Sequence, residues 1–193
     1  RILRNRVEPG FPVFESAPAN ASVLNCFSYT CAFSVCAARA GAATTNLDLS
    51  RKYLDWGRGN MRRNGADPDR HNFIYGDALD WMKLLAKRGD THDLVILDPP
   101  TFSRSKKSGV FLAKRDYPAL ARAVAPLVRK GGMLLACCNA ASLPGKKFKE
   151  DVRKGIRFGG RKTVKSFDAL QPPDFPATAN EPAYLKVSWL RLD

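Results

Sequence analysis

Residues 23 to 41 read VLNCFSYTCAFSVCAARAG. The segment begins with the apolar pattern of a buried strand at residues 23 to 27. It continues as a short helix at residues 33 to 40, which Gly41 ends. A strand that leads into a helix is the opening of a βαβ unit. Ligands of such units bind beyond the carboxyl end of the strand, so the turn at residues 28 to 32 is the first candidate binding segment.

The remaining chain repeats this alternation. Hydrophobic periodicity predicts strands at residues 43–47, 72–75, 93–97, 133–137, 163–167 and 184–190. It predicts helices at residues 50–63, 78–88, 117–128 and 146–156, the third of them kinked or restarted at Pro126. Strands that alternate with helices indicate an α/β fold with a parallel sheet and helices on both faces.

Composition favours a polyanionic partner. The chain has 193 residues, enough for one domain, with 32 Lys and Arg against 18 Asp and Glu and a net charge of +14. RNA is the leading candidate partner. No apolar run reaches the roughly 20 residues of a membrane helix and no signal peptide is visible, so we expect a cytoplasmic protein without a membrane partner.

The cysteines do not indicate a metal site. Five cysteines occur without CxxC spacing, and the chain has only two histidines. We therefore expect no metal and interpret most of the cysteines as small buried residues. The sequence leaves the oligomeric state open.

Acidic residues follow three of the predicted strands. Asp48 lies 18 residues beyond Thr30, where a carboxylate can accept hydrogen bonds from both hydroxyls of a ribose. Asp77 could accept from an adenine amino group, and Asp98 could accept from a donor N–H. The alternative for Asp48 alone is a helix-capping or solvated residue, and the alternative for Asp77 alone is the N-cap of the next helix. Three acids at consecutive strand ends together favour a nucleoside-containing ligand.

The first turn lacks the glycines that let a backbone approach a pyrophosphate, since Cys31 and Ala32 occupy those positions. This argues against a dinucleotide and favours a cofactor without phosphate, such as S-adenosylmethionine (SAM). We expect both residues to keep a negative φ as the start of the helix, which predicts a weakened cofactor site that still functions.

The LDPPTF segment, residues 97 to 102, is the most specific motif. Two prolines after Asp98 stiffen the loop at the strand end, and a stiff loop can hold a planar base against a methyl donor. A purely structural Pro-Pro turn is the alternative.

A family resemblance rests on six segments in order: VLNCFSYT, NLDLS, GDALDWM, LVILDPPTFSRSK, KRDYPAL and VRKGGMLLACCN. Together they resemble class I SAM-dependent methyltransferases over roughly residues 20 to 190. The chain is similar to the catalytic domains of large-subunit rRNA methyltransferases, and two branches of these resemble it. One is the PUA-domain cytosine-C5 family, and the other is the guanine-N7 half of a bifunctional enzyme. DPPTFSRSK with a following Asn139 is more similar to the guanine-N7 branch.

The resemblance implies a Rossmann-like, seven-stranded, mostly parallel sheet whose last strand is antiparallel. It implies a methyltransferase domain at residues 22 to 193, preceded by a lead-in at residues 1 to 21. In this lead-in, RNRV resembles only the junction after an RNA-binding domain that this sequence lacks. The implied cofactor is SAM, bound by Phe27, Ser28, Tyr29, Thr30, Asp48, Leu49, Asp77, Ala78 and Asp98. The implied catalytic residues, beside the methyl group and the target base, are Asp98, Pro99, Pro100 and Asn139.

The two branches need different chemistry. Attack on cytosine C6 needs a positioned thiolate, but Asn139 occupies the expected position and Cys138 lies one residue early. Guanine N7 has a free lone pair, so positioning can suffice. The sequence therefore favours N-methylation.

Two basic segments are candidate RNA contacts. Residues 103 to 115 contain Arg104, Lys106, Lys107, Lys114 and Arg115, and residues 146 to 165 contain nine Lys or Arg. Both flank strand ends, so we expect them near the active face. We predict a SAM-dependent methyltransferase acting on RNA, a base of large-subunit rRNA in the first instance. The alternatives are a weakened or inactive RNA-binding module and a methyltransferase for a small molecule or protein.

Overall fold

A computed structural model describes residues 20–105, 109–169, 171, 177–178 and 183–193. The chain divides into two compact units, one ending at Ala78 and the other beginning at Leu79. Nearly all of the predicted lead-in lies outside the described residues, as do Lys106 and Lys107.

The amino-terminal unit is a parallel three-stranded arrangement with two helices. Its elements are β1 (Ser22–Cys26), α1 (Ala32–Arg39), β2 (Ala43–Asp48), α2 (Arg51–Arg63), a 3₁₀ turn (Pro68–Arg70) and β3 (Asn72–Tyr75). Strand β2 pairs in parallel with both β1 and β3. These bounds agree with the predicted elements to within one or two residues.

Helix α2 illustrates how the sequence sets these bounds. The Ser50 hydroxyl caps its start by accepting from the backbone N–H of Tyr53 at 3.3 Å. The buried residues Leu54, Gly57 and Met61 recur at helical spacing. Gly65, with a φ of +72°, ends the helix in the conformation that glycine adopts most easily.

The carboxy-terminal unit contains the remaining elements. They are α3 (Ala78–Arg88), β4 (His92–Leu97), β5 (Phe102–Ser105), β6 (Gly109–Leu112), α4 (Ala113–Val124), a 3₁₀ turn (Ala125–Leu127), β7 (Val128–Cys138), α5 (Gly145–Phe158), β8 (Thr163–Ala169) and β9 (Lys186–Leu192).

The sheet has seven strands in the order β3-β2-β1-β4-β7-β9-β8. Strands β4 and β7 are parallel, whereas β9 is antiparallel to both of its neighbours. The prediction of a seven-stranded, mostly parallel sheet with an antiparallel last strand is thus confirmed. Within the described residues, no helix combines the length and the apolar character that crossing a bilayer requires.

Three local features differ from or refine the predictions. Strands β5 and β6 form an antiparallel hairpin within the segment that was interpreted as a basic loop. The hairpin was not predicted because each strand has only four residues, too few for a clear periodic pattern. Strand β7 begins five residues earlier than predicted, and its pairing with β4 shifts register between His92 and Leu94. At Pro126 the helix restarts as expected, since α4 ends at Val124 and a 3₁₀ turn follows.

Helices α4 and α5 pack closely because α5 presents a glycine to α4. A Cβ atom at Gly155 would lie 2.5 Å from the Cβ of Ala121 and 2.5 Å from the carbonyl oxygen of Pro118. Next to this contact, the rings of Tyr117 and Phe148 meet edge to face, with centroids 5.0 Å apart. The glycine therefore sets how closely the two helices approach.

We predict that Gly155→Ala destabilises the protein by about 1–3 kcal/mol, because overpacking outweighs the better helix propensity of alanine. The matched control is Gly59→Ala in α2, where the new Cβ would meet only the Arg63 side chain at 3.6 Å. That variant should gain up to about 1 kcal/mol. Urea unfolding midpoints measure both changes, and equal stabilisation in the two variants would contradict the close approach.

Candidate functional site

The turn after β1 has an unusual backbone. Phe27, Tyr29 and Cys31 have φ values of +61°, +47° and +62°, although none is glycine. The left-handed region costs a non-glycine residue about 1–2 kcal/mol. The expectation that Cys31 keeps a negative φ was therefore wrong: Cys31 is the left-handed N-cap residue of α1, and the regular helix begins at Ala32.

Hydrogen bonds from three directions hold this turn. The N–H of Ser28 donates to the Leu47 carbonyl at 3.0 Å, and the N–H of Tyr29 donates to Asp48 Oδ2 at 2.8 Å. From α2, Asn60 Nδ2 donates to the Thr30 carbonyl at 3.0 Å. These bonds fix the strained conformation, which persists because the surrounding structure over-determines it.

A niche in α2 accommodates the side chain of Cys31. Cys31 is fully buried, and a Cβ at Gly57 would lie only 2.4 Å from its sulfur and 3.0 Å from its Cβ. Burial raises the pKa of this thiol to about 11, so it stays protonated at neutral pH. The side chain of Cys31 thus fills a space that a glycine at position 31 would leave empty. The space exists because Gly57 has no side chain.

Asp48 links this turn to the start of α2. Its Oδ2 accepts from Tyr29, and its Oδ1 accepts from the backbone N–H of Ser50 at 2.9 Å. The half-exposed carboxylate is thereby oriented, and each oxygen retains a further lone pair. The carbonyl of Asp48 accepts from the N–H of Gly76 at 3.0 Å, which brings the residue before Asp77 to the end of β2.

Apolar side chains are exposed beside these acids. Leu49 is 44% exposed directly after Asp48, and Tyr75 is 48% exposed at the end of β3, with the Arg51 guanidinium 4.4 Å from its ring centroid. Tyr29 is 53% exposed and contacts Tyr53 edge to face. Exposed rings and an aliphatic residue beside an oriented carboxylate are suited to a ligand with both a planar and a polar part.

Three buried polar atoms in this unit lack partners. Within the part of the chain that the structure describes, Ser28 Oγ, Asn25 Oδ1 and Asn46 Oδ1 have no hydrogen-bond partner. Helix α1 begins without a side-chain cap, so no side chain satisfies its first N–H groups. An unsatisfied buried hydroxyl next to an uncapped helix start can bind a small polar or charged group.

In the carboxy-terminal unit, a buried tyrosine supports the predicted DPP loop. The Tyr117 hydroxyl donates a bifurcated bond to the carbonyl oxygens of Leu97 and Cys137, at 3.1 and 2.9 Å. These carbonyls lie near the carboxyl ends of β4 and β7. The sequence predicted only that Tyr117 begins a helix, because no local pattern indicates the partners of a buried hydroxyl.

Thr101 connects the DPP loop to Asn139. Its hydroxyl donates to Asn139 Oδ1 at 2.7 Å, while its carbonyl accepts from the N–H of Ala113 at 3.1 Å and closes the base of the β5–β6 hairpin. Asn139 is exposed, and among the described residues nothing pairs with its Nδ2. The structure therefore brings Asn139 to the residue that follows Asp98, Pro99 and Pro100, a link that sequence reasoning missed.

The titrating groups near this loop are perturbed by burial. Desolvation raises the pKa of Asp98 to about 6. Cys137 and Cys138 are buried, and burial raises the pKa of both thiols. Neither cysteine is therefore a ready thiolate nucleophile.

The predicted RNA contacts fall into distinct environments. Arg104 and Lys114 are exposed on and beside the hairpin, where Phe102 is also 57% exposed. Arg115 forms a bidentate ion pair with Asp116, at 2.6 and 2.8 Å, and also donates to the Val110 carbonyl. Its charge is therefore largely neutralised.

The expectation that residues 146 to 165 lie near the active face was correct for only one end. Helix α5 starts after the carboxyl end of β7, whereas its last turn leads to β8, whose start lies at the opposite end of the strands. At the first turns of α5, Lys147 pairs with Asp151 and Lys149 pairs with Asp168. No group of three or more His, Cys, Asp or Glu suited to a metal occurs among the residues described.

Comparison with known proteins supports one assignment. The family model of S-adenosylmethionine-dependent methyltransferases matches residues 9–191. The chain belongs to this family. SMU.776, solved in complex with SAH (S-adenosylhomocysteine), is similar over 92% of this chain and 47% of its own, with 32% identity and a TM-score of 0.81. The SAM-dependent methyltransferase from Agrobacterium tumefaciens has the same fold, with 23% identity over 92% of this chain and 58% of its own and a TM-score of 0.75.

Relatives by sequence are larger proteins. The ribosomal RNA large subunit methyltransferase K/L of Psychrobacter sp. (strain PRwf-1) is 44% identical over 63% of this chain and 15% of its own length. The protein of that name from Methylococcus capsulatus (strain ATCC 33009 / NCIMB 11132 / Bath) is 43% identical over 72% of this chain and 19% of its own. This methyltransferase chain therefore spans less than a fifth of the curated relatives it matches.

The fit of Cys31 against Gly57 predicts a coupled pair of substitutions. Gly57→Ala should destabilise the parent protein by about 1–3 kcal/mol, because the new methyl group meets the buried sulfur. In a Cys31→Gly background the same change should cost little, since the sulfur is gone and residue 31 is free to adopt a positive φ. A double-mutant cycle by urea unfolding measures this coupling, and additive effects would contradict the contact.

The raised pKa of Asp98 predicts a pH-dependent stability. Between the ordinary value of 3.8 and about 6, the folded protein binds more protons at this group than the unfolded chain does. The contribution of Asp98 to the free energy of unfolding is therefore fully present below pH 3.8 and is lost as the pH rises through about 6. Asp98→Asn should remove this dependence, on the order of 1–2 kcal/mol after solvent screening. Identical pH profiles of the two unfolding free energies would contradict the shift.

Proposed function

We propose that this chain catalyses methyl transfer from SAM to a base of large-subunit ribosomal RNA. The observation that carries the proposal is the Thr101 hydrogen bond, which fixes Asn139 beside the DPP loop at the base of a basic hairpin. The sequence relatives named as rRNA large subunit methyltransferases and the net charge of +14 support the RNA substrate.

The amino-terminal unit fits the cofactor. SAM supplies an activated methyl group on a sulfonium centre together with a ribose, an adenine and a zwitterionic tail. We assign Asp48 to the ribose, because its oriented carboxylate has lone pairs to spare. The unpartnered Ser28 hydroxyl and the uncapped start of α1 suit the polar tail, together with Phe27, Tyr29 and Thr30. Leu49, Asp77 and Ala78 suit the adenosine.

The carboxy-terminal unit supplies groups for the target base. The Thr101 hydroxyl occupies Asn139 Oδ1, so the amide presents its NH₂ group as a donor. A donor suits guanine O6 and leaves the lone pair of N7 free to accept the methyl group. Asp98, Pro99 and Pro100 form the rigid boundary of the base site. The Asp98 carboxylate, ionised above about pH 6, can accept an N–H from the base.

The chemistry favours a nitrogen target. Methylation of guanine N7 uses a lone pair and requires no covalent enzyme intermediate, so positioning can supply most of the catalysis. Because burial raises the pKa of both Cys137 and Cys138, a cytosine-C5 mechanism with a thiolate has less support. Arg104 and Lys114, with Lys106 and Lys107 between them in sequence, would contact RNA phosphates near the base site.

In this proposal, the chain is one methyltransferase domain of a larger assembly. Its relatives are several times longer, so domains with which it acts would contribute further RNA contacts. We place the domain at residues 22 to 193 and its activity in the cytoplasm. A weakened or inactive RNA-binding module is the second candidate, and the strained turn at Cys31 is the observation that favours it.

The test measures SAM binding and methyl transfer separately. Calorimetry should detect binding of SAM and SAH, and Asp48→Ala should weaken it by more than about 1 kcal/mol through the lost charge-assisted hydrogen bonds. Asp48→Asn keeps an oxygen that can accept the N–H of Tyr29, so this variant serves as a control for folding of the turn. Asp55→Ala removes another acid, which is 4.0 Å from Arg58 on α2, and should leave SAM affinity unchanged.

Methyl transfer is followed with radiolabelled SAM and protein-free large-subunit rRNA, and the product nucleoside is identified by mass spectrometry. N7-methylguanosine is the expected product. Binding of SAM without transfer to any rRNA would contradict the RNA substrate, and absence of SAM binding would favour the inactive module.

A further inference from the structure

A second basic surface lies in the carboxy-terminal unit, between the end of α5 and the start of β8. It is a groove of about 370 Å³. Five cationic residues line it: Arg153, Arg157, Arg161, Lys162 and Lys165. The hydroxyl residues Thr163 and Ser166 line the same groove. Lys, Arg and hydroxyl side chains are the groups that contact phosphate and ribose in protein–nucleic acid interfaces.

The groove lies at the far end of the strands from the DPP loop. Strand β8 runs in the same direction as β7, because β9 pairs antiparallel with both. The start of β8 at Thr163 pairs with Leu192, whereas the end of β7 at Cys138 pairs with Lys186. The six residue steps along β9 from Lys186 to Leu192 correspond to about 20 Å. The groove is therefore separate from the residues proposed to contact the base.

Part of the positive charge in the groove is paired with other groups of the protein. Arg161 forms an ion pair with Asp193 at 3.0 Å and donates to the carbonyl oxygens of Ala125 and Val128, so its role is structural. Arg153 donates to Ser166 Oγ at 3.2 Å. The side chains of Arg157 and Lys162 make no hydrogen bond or ion pair with the described residues, and both remain available to a ligand.

Apolar groups beside these cations make a nucleic acid a better match than an acidic peptide. Phe158 follows Arg157 and is 59% exposed, and Val164 is 66% exposed on β8. The ammonium group of Lys154 lies 5.8 Å from the Phe158 ring centroid. An exposed ring next to unpaired cations can stack a base while the cations contact its phosphates.

We propose that this groove, which we call the α5–β8 groove, binds the phosphodiester backbone of a second segment of the substrate RNA. The identity of the polyanion rests on the proposed function. The groove holds RNA about 20 Å from the base-binding end of the strands, and it contributes affinity and orientation without reading sequence.

The test compares salt-dependent binding of a fluorescein-labelled 30-nucleotide poly(U) by three proteins. One is the parent, the second is Arg157→Gln/Lys162→Gln, and the third is Lys83→Gln/Lys87→Gln. The third variant removes two exposed cations from α3 and matches the change in net charge. Loss of two phosphate contacts should reduce the slope of log K against log salt by about 1.4 in the groove variant only. SAM affinity should be unchanged in all three, which verifies folding.

Each other outcome contradicts a specific part of the inference. Equal slopes for the groove variant and the parent would overturn the groove as an RNA site while leaving the RNA substrate intact. Equal reductions of the slope in the groove and α3 variants would show that only net charge matters, which would also overturn the groove as an RNA site. Absence of salt-dependent binding by the parent would overturn the RNA partner itself, and this inference with it.

Discussion

The carboxylate of Asp48 is the interaction on which the amino-terminal unit depends. It accepts one backbone N–H from the turn after β1 and another from the start of α2. These bonds help to hold Phe27, Tyr29 and Cys31 in a conformation that each residue disfavours. The same carboxylate remains half-exposed, so its structural role and its proposed ribose-binding role fall on one side chain.

The carboxy-terminal unit achieves rigidity by a different means. Two prolines limit the loop after β4, and Tyr117 fixes the neighbouring strand ends through two carbonyl oxygens. Thr101 then ties the loop to both Asn139 and the hairpin. Because these contacts are made by short or fully buried side chains, the residues proposed to contact the base would require little ordering when substrate binds.

Charge is distributed over this unit rather than concentrated at one face. Some cations are neutralised locally, as Arg115 is by Asp116 and Lys147 is by Asp151. Others, including Arg157 in the α5–β8 groove, pair with nothing described. A net charge of +14 therefore overstates the surface available for RNA, and the ion pairs indicate which positions are available to bind phosphates.

The sequence by itself determined the order of the strands and helices other than the β5–β6 hairpin, because hydrophobic periodicity and caps such as Ser50 are local signals. It also placed Asp48, Asp77, Asp98 and Asn139 at strand ends, since a residue after a strand lies at a known edge of a parallel sheet. Tertiary structure alone decided the positive φ of Cys31, which depends on the room that Gly57 leaves for its side chain. It likewise decided the Thr101–Asn139 bond and the remote position of the last turn of α5, because contacts between residues distant in sequence carry no local pattern.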